Sequence, residues 1–247
     1  MSGRSDIQPN SRGWRRLSYT RRCGWVDWGH ALPGSALDLK QQLEVERATW
    51  PGLSRVSAKF DGHDAFPINY GQRMTGFSAE RHWIVRRGLT AAARESAALG
   101  IFLSASFDLE GAQSSFPFSW VTNSGFSAED LVSNLIGFYA AFRGMTQDQQ
   151  RRICGEVSVA ESLRLWDENL PNGLGAIKNR TLRPVLFPTR ERGSGPASTA
   201  FPLQFTTITP SPSGGDWVRL RDRFIPGPLA NIGASIAVDR QGVVSAR

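Results

Sequence analysis

The segment 126–144 constrains this chain most, because it reads as a helix that is apolar around most of its circumference. Leu131, Leu135, Phe138 and Phe142 make one stripe, widened by Val132, Ile136 and Tyr139, which leaves a narrow polar strip of Glu129, Asp130, Ser133, Asn134 and Gly137. A helix of this kind belongs inside a core. Ser127 is placed to cap it with Asp130 three residues on, Phe126 can staple onto Leu131, and the run ends at Phe142 or Arg143, before Gly144. Any buried polar group on the strip must find a partner, since leaving one unsatisfied costs ~1–3 kcal/mol. An Asp or Asn held there is placed to orient an imidazole. The plainer alternative gives Asp130 to the cap and Asn134 to a nearby backbone.

Around this helix the pattern predicts an α+β fold with a helical core, a small antiparallel sheet and a β-rich C-terminal segment. A short charged helix is expected over 36–49, stopped by Trp50-Pro51, and strand-like alternation over 55–60 and 81–86. A long helix is expected over 89–113, where Ala92, Ala93, Ala97, Ala98 and Gly100 allow close packing on a neighbour, and one amphipathic helix over 146–168. From about residue 180 the chain turns to Pro, Gly, Ser and Thr, with β-like pieces at 184–187, 203–208, 217–220 and 234–238 and a loop at 190–199. Residues 1–13 read as a mobile polar tail and 14–247 as a single domain, for which 247 residues with 40% hydrophobic content supply an ample core.

The charge balance, 29 basic against 22 acidic side chains, is carried almost wholly by arginine, the lysines being Lys40, Lys59 and Lys178. Arginine forks suit phosphate and carboxylate. The pairs Arg15-Arg16, Arg21-Arg22, Arg86-Arg87 and Arg151-Arg152 are scattered, which favours a solvated surface over a nucleic-acid patch. No stretch approaches the ~20 apolar residues of a membrane span, and residues 1–20 lack a signal core. Synthesis in the cytoplasm is therefore expected, with export by a signal-independent system left open. Two cysteines, Cys23 and Cys154, are too few for a disulfide scaffold or a four-ligand zinc cage, and no cofactor is expected.

Chemistry concentrates in Arg21-Arg22-Cys23-Gly24-Trp25-Val26-Asp27-Trp28-Gly29-His30. In a helix Cys23, Asp27 and His30 share one face at i, i+4 and i+7; in an extended chain Cys23 and Asp27 share a face and His30 leaves it. Cationic neighbours and a helix start favour thiolate, so Cys23 is the candidate nucleophile, with a packed, inert thiol as the bland alternative. The same set could begin a metal site completed from Asp61, His63 and Asp64. His82, on an expected strand, is a second candidate base beside His30. A cysteine at a helix start followed by a strand histidine follows in outline the order of papain-like and NlpC/P60-like hydrolases. Trp25, Trp28, Trp83 and Trp120 are read as core fillers.

The residues 22–30, 86–89 and 124–139 together resemble an uncharacterised bacterial family, domain-of-unknown-function family 4056, over about residues 14–190. That resemblance implies no activity, but it marks Cys23, Asp27, His30, Asp130 and Asn134 as a set. The expectation is a cysteine-dependent amidase, peptidase or acyltransferase acting on a small-molecule or peptide substrate, including cell-wall peptides. Cys23 is its nucleophile, His30 or His82 its base, and Asp27, Asn134 or Asp130 the orienting group. The rivals are an arginine-rich binding module for nucleic acid or an acidic partner and a metal-dependent hydrolase.

Overall fold

The computed structural model describes residues 2–46, 58–74, 77–113, 127–191, 199–221, 233–240 and 243–246. They form an α+β fold in two compact units, each made of two stretches of chain: Met1–Gly34 with Glu110–Thr207, and Ser35–Leu109 with Ile208–Arg247. The second unit is largely inserted into the first along the chain.

The first unit is a short hairpin covered by helices. Strands β1 (Leu17–Thr20) and β2 (Gly24–Asp27) pair antiparallel, and every residue of both is buried. Helix α3 (Asp130–Arg143) is buried almost to its end and stops at Gly144, whose φ of 63° lets the backbone turn left-handed. The single helix expected over 146–168 is two, α4 (Gln147–Cys154) and α5 (Val159–Asn169), broken at Gly155 with a φ of 73°. Each has its own cap: Thr146 and Gln149 form a reciprocal capping box, and Ser158 accepts from the Glu161 N–H. The break has a simple cause, since Ser158 starts a new helix more favourably than it continues an old one.

Hydrophobic packing here centres on Trp25, which meets Tyr19 and Trp166 edge-on at 5.4 and 5.5 Å between ring centroids. Ile7, Leu17, Leu165 and Leu170 close around them. Ile7 comes from the expected mobile tail. That stretch is in fact docked: residues 4–7 form a 3-10 helix, Ile7 is fully buried, and Arg4 pairs with Asp167 at 2.7 Å. Apolar burial of Ile7 and the Arg4–Asp167 pair together tie the segment down.

The second unit carries nearly all of α1 (Gly34–Val45), most of α2 (Ala91–Gln113) and a six-stranded sheet. Its strands are β3 (Ala58–Phe60), β4 (His63–Met74), β5 (Phe77–Arg86), β6 (Trp217–Arg219), β7 (Ile236–Val238) and β8 (Val244–Ala246). Their order is β6-β5-β4-β3-β8-β7, with β3 and β8 parallel and the other neighbours antiparallel. Asp61 and Gly62 turn β3 into β4 with φ of 49° and 75°, the left-handed pair that a two-residue hairpin favours. In α2 the expected close approach occurs at Gly100, where a Cβ would lie 2.3 Å from the Ser211 carbonyl oxygen. The C-terminal pieces near 217–220 and 234–238 are strands, whereas 184–187 is irregular and 203–205 is a 3-10 turn. The helix stop at Trp50-Pro51, the Phe126 staple and Trp120 lie outside the described residues.

Candidate functional site

The decisive local fact is that residues 17–27 form a hairpin, so of the two arrangements left open for Cys23, Asp27 and His30 the helical one does not occur. Thr20 closes the turn by accepting from the Cys23 N–H at 3.1 Å and donating to the Gly24 carbonyl at 2.9 Å. Gly24 then takes a φ of 66°, with the Val185 carbonyl oxygen only 2.4 Å from where a Cβ would stand. Cys23 sits at this turn and Asp27 at the far end of β2, and four extended residues separate them by roughly 13 Å. Cys23 is 1% exposed, and its thiol contacts that of Cys154. The expected nucleophile is therefore packed, and the outline likeness to papain-like hydrolases, which needs the cysteine at a helix start, loses that element.

Asp27 is the anchor of what does assemble. It is fully buried, and its Oδ2 accepts from the Ser2 hydroxyl at 2.6 Å and from Arg16 Nε at 3.2 Å. Its Oδ1 accepts from the N–H groups of Gly29 at 2.7 Å and His30 at 3.3 Å, which folds the chain back and aims His30. Burial pushes the Asp27 carboxyl up, but the imidazole of His30, the Ser2 hydroxyl and the Arg16 guanidinium outweigh it and hold the group below its ordinary value.

Helix α3 supplies the opposite wall. Asp130 turns Oδ2 to the backbone N–H and hydroxyl of Ser127, at 2.9 and 2.5 Å, and Oδ1 to His30 Nδ1 at 3.7 Å. Its side chain is 8% exposed, that of His30 38%, so the imidazole is the part of this pair that solvent reaches. One turn on, Ser133 accepts the Asp27 N–H at 3.0 Å, and Asn134 is buried beside it in sequence. A Cβ on Gly137 would stand 2.9 Å from the Leu32 carbonyl oxygen and 3.1 Å from that of His30, so the helix rests directly on the loop carrying the imidazole. Small size at 137 is thus a requirement of the site.

Glu129 completes the cluster. It is 1% exposed, and its Oε2 has no hydrogen-bond partner among the described residues. Burial first, then the neighbouring carboxylates of Asp130 and Asp27, push its pKa up to about 8 against relief from Ser127, so at neutral pH this carboxyl holds its proton. Beside it Asp27 is shifted the other way, the divergence that acid–base sites exploit.

Of the residues singled out from sequence, Asp27, His30, Asp130 and Asn134 lie on the hairpin exit and α3 of the first unit. Cys23 lies apart at the turn. His82 belongs to the second unit, on β5 opposite Asn69. Asp61, His63 and Asp64 are also in the second unit, and among the described residues no group of three or more His, Cys, Asp or Glu is arranged to hold a metal ion. Ser2 and Arg16 were missed. Nothing in the sequence marks them, because Ser2 reaches Asp27 from the N-terminal stretch and Arg16 from the opposite side of the hairpin.

A cavity of about 460 Å³ also opens in this unit, with Trp14, Arg15, Asp148, Arg151 and Glu156 among its walls. None of the candidate residues lines it, and both arginines already close on Glu156. Comparison with protein-family models, with curated proteins and with solved structures finds no match to this chain.

Proposed function

We propose that this chain is a hydrolase that opens an acyl bond, ester or amide, with His30 as general base and Asp130 as the carboxylate that orients it. The observation that carries the reading is the half-exposed imidazole whose Nδ1 faces a buried, Ser127-anchored carboxylate at 3.7 Å. A carboxylate at Nδ1 keeps the proton there and leaves Nε2 as an acceptor toward solvent, the state in which an imidazole draws a proton from water or a substrate hydroxyl. The separation exceeds a closed hydrogen bond, as such contacts often do before substrate binds.

The remaining groups have defined parts. Asp27 holds the His30 loop through two backbone N–H groups, and the Arg16 side chain, 41% exposed, keeps a positive charge at the rim where a developing oxyanion would gather. Protonated Glu129 is a proton donor held out of water. A thiol mechanism is less well supported because Cys23 is sealed.

The test is hydrolysis of activated esters and of purified peptidoglycan by the wild type and three variants. His30→Ala should lower turnover by roughly 10²–10⁴-fold, the usual contribution of a positioned base. Asp130→Asn should lower it less, and Cys23→Ala should leave it within a few-fold. Hydrolysis that persists in His30→Ala, or vanishes in a folded Cys23→Ala, overturns the assignment.

A further inference from the structure

The chain has two cysteines, far apart in sequence, and the fold brings them into contact with each other. Both are buried, at 1% and 0% exposure, and both are free thiols. Their backbones are laced together: the N–H of Arg21 donates to the Gly155 carbonyl and that of Arg22 to the Cys154 carbonyl, each at 3.0 Å, and Thr20 bridges Glu156 antiparallel. Cys23 is the next residue along the same turn, so the two side chains enter one small space between the β1–β2 turn and the end of α4. The Arg22 guanidinium, bonded to the Ile153 carbonyl at 3.2 Å, adds a positive charge beside that space.

We propose that Cys23 and Cys154 are an oxidation site, a dithiol that hydrogen peroxide converts to an intramolecular disulfide stapling the hairpin turn to α4. The balance is two thiols and one peroxide giving one disulfide and two waters. The thiolate of one cysteine attacks a peroxide oxygen, the O–O bond breaks and one water leaves, forming a sulfenic acid. The second sulfur then attacks the sulfenic sulfur, its proton leaves with the hydroxyl as the second water, and the S–S bond closes. The disulfide replaces two buried polar S–H groups by an apolar bond of ~2.05 Å between residues already held side by side. Burial, and the neighbouring Cys23, push the Cys154 thiol well up, so reaction should quicken at alkaline pH.

The experiment treats the folded wild type with hydrogen peroxide, quenches in acid, denatures, alkylates free thiols and reads intact and peptide masses. The expected result is joint loss of both alkylatable thiols in a monomeric species, a Cys23–Cys154 linked peptide, and a rise in Tm that dithiothreitol reverses. Cys23→Ala and Cys154→Ala should each show no such rise. Two thiols that persist under conditions that oxidise the urea-unfolded chain overturn the proposal. So does a product that is intermolecular or sulfinic, or a Tm that falls on crosslinking. The wild-type masses decide the matter even where a variant fails to fold, and no step depends on hydrolytic activity.

Discussion

Glu129 gives the sharpest test of the buried cluster, because its protonation ties stability to pH in an unusual direction. In the unfolded chain the carboxyl titrates near 4.5, and in the fold near 8. Between those values the folded protein keeps a proton that the unfolded chain has released, so stability falls as pH rises through the interval and is lost progressively up to about 8. Each tenfold difference in proton affinity between the folded and unfolded chains is worth ~1.4 kcal/mol, so the interval corresponds to a ceiling of about 5 kcal/mol, reached only if the carboxyl stays buried as it ionises. Asp27 acts with the opposite sign in another window: its depressed value adds stability above the ordinary carboxylate range, lost only as pH falls below about 3.8. The perturbation is Glu129→Gln, which has the shape of the protonated acid and cannot ionise. Urea unfolding followed by tryptophan fluorescence, at steps from about pH 5 to about pH 8, should show the wild type losing stability and the variant losing distinctly less. Near the upper end the variant should be the more stable protein. Parallel slopes for the two proteins would refute the protonated-carboxyl reading, since the other titrating groups are common to both.

Two further predictions concern packing and capping. Gly137→Ala places a methyl 2.9 Å from the Leu32 carbonyl oxygen and should cost ~1–3 kcal/mol in urea unfolding while displacing the His30 loop and lowering hydrolysis; unchanged stability would mean that α3 does not rest on that loop. Thr146→Ala removes the hydroxyl that accepts the Gln149 N–H and should lower stability by about 1 kcal/mol with little effect on hydrolysis.

How much of this could be read in advance follows from how local each signal is. Helix α3 was legible because its apolar circumference admits one environment, and the Ser127–Asp130 spacing correctly paired those residues, although the hydroxyl donates to the carboxylate and the helix starts only at Asp130. An imidazole partner for a polar residue on α3 was also foreseeable, and His30 stands at Asp130. The hairpin was not legible. Both faces of β1 and β2 are buried, so neither shows the alternation that marks a half-buried strand, while Cys23, Asp27 and His30 happen to carry helical spacing. The division of 146–168 turned on Gly155 and Ser158, whose combined effect exceeded an amphipathic pattern that runs through both helices. Ser2 was invisible because a tail residue gives no hint of the buried carboxylate at the end of β2.

The insertion of one unit into the other sets an order of events during synthesis. Asp27 emerges from the ribosome early, yet the Ser133 hydroxyl that holds its N–H and the Ser162 hydroxyl that takes the Tyr19 N–H come only after the stretch to Leu109, with β3, β4 and β5, has been made. The nascent hairpin, whose two faces are both buried in the finished fold, must therefore wait uncovered for its helices, at the stage where long-range closure is slowest.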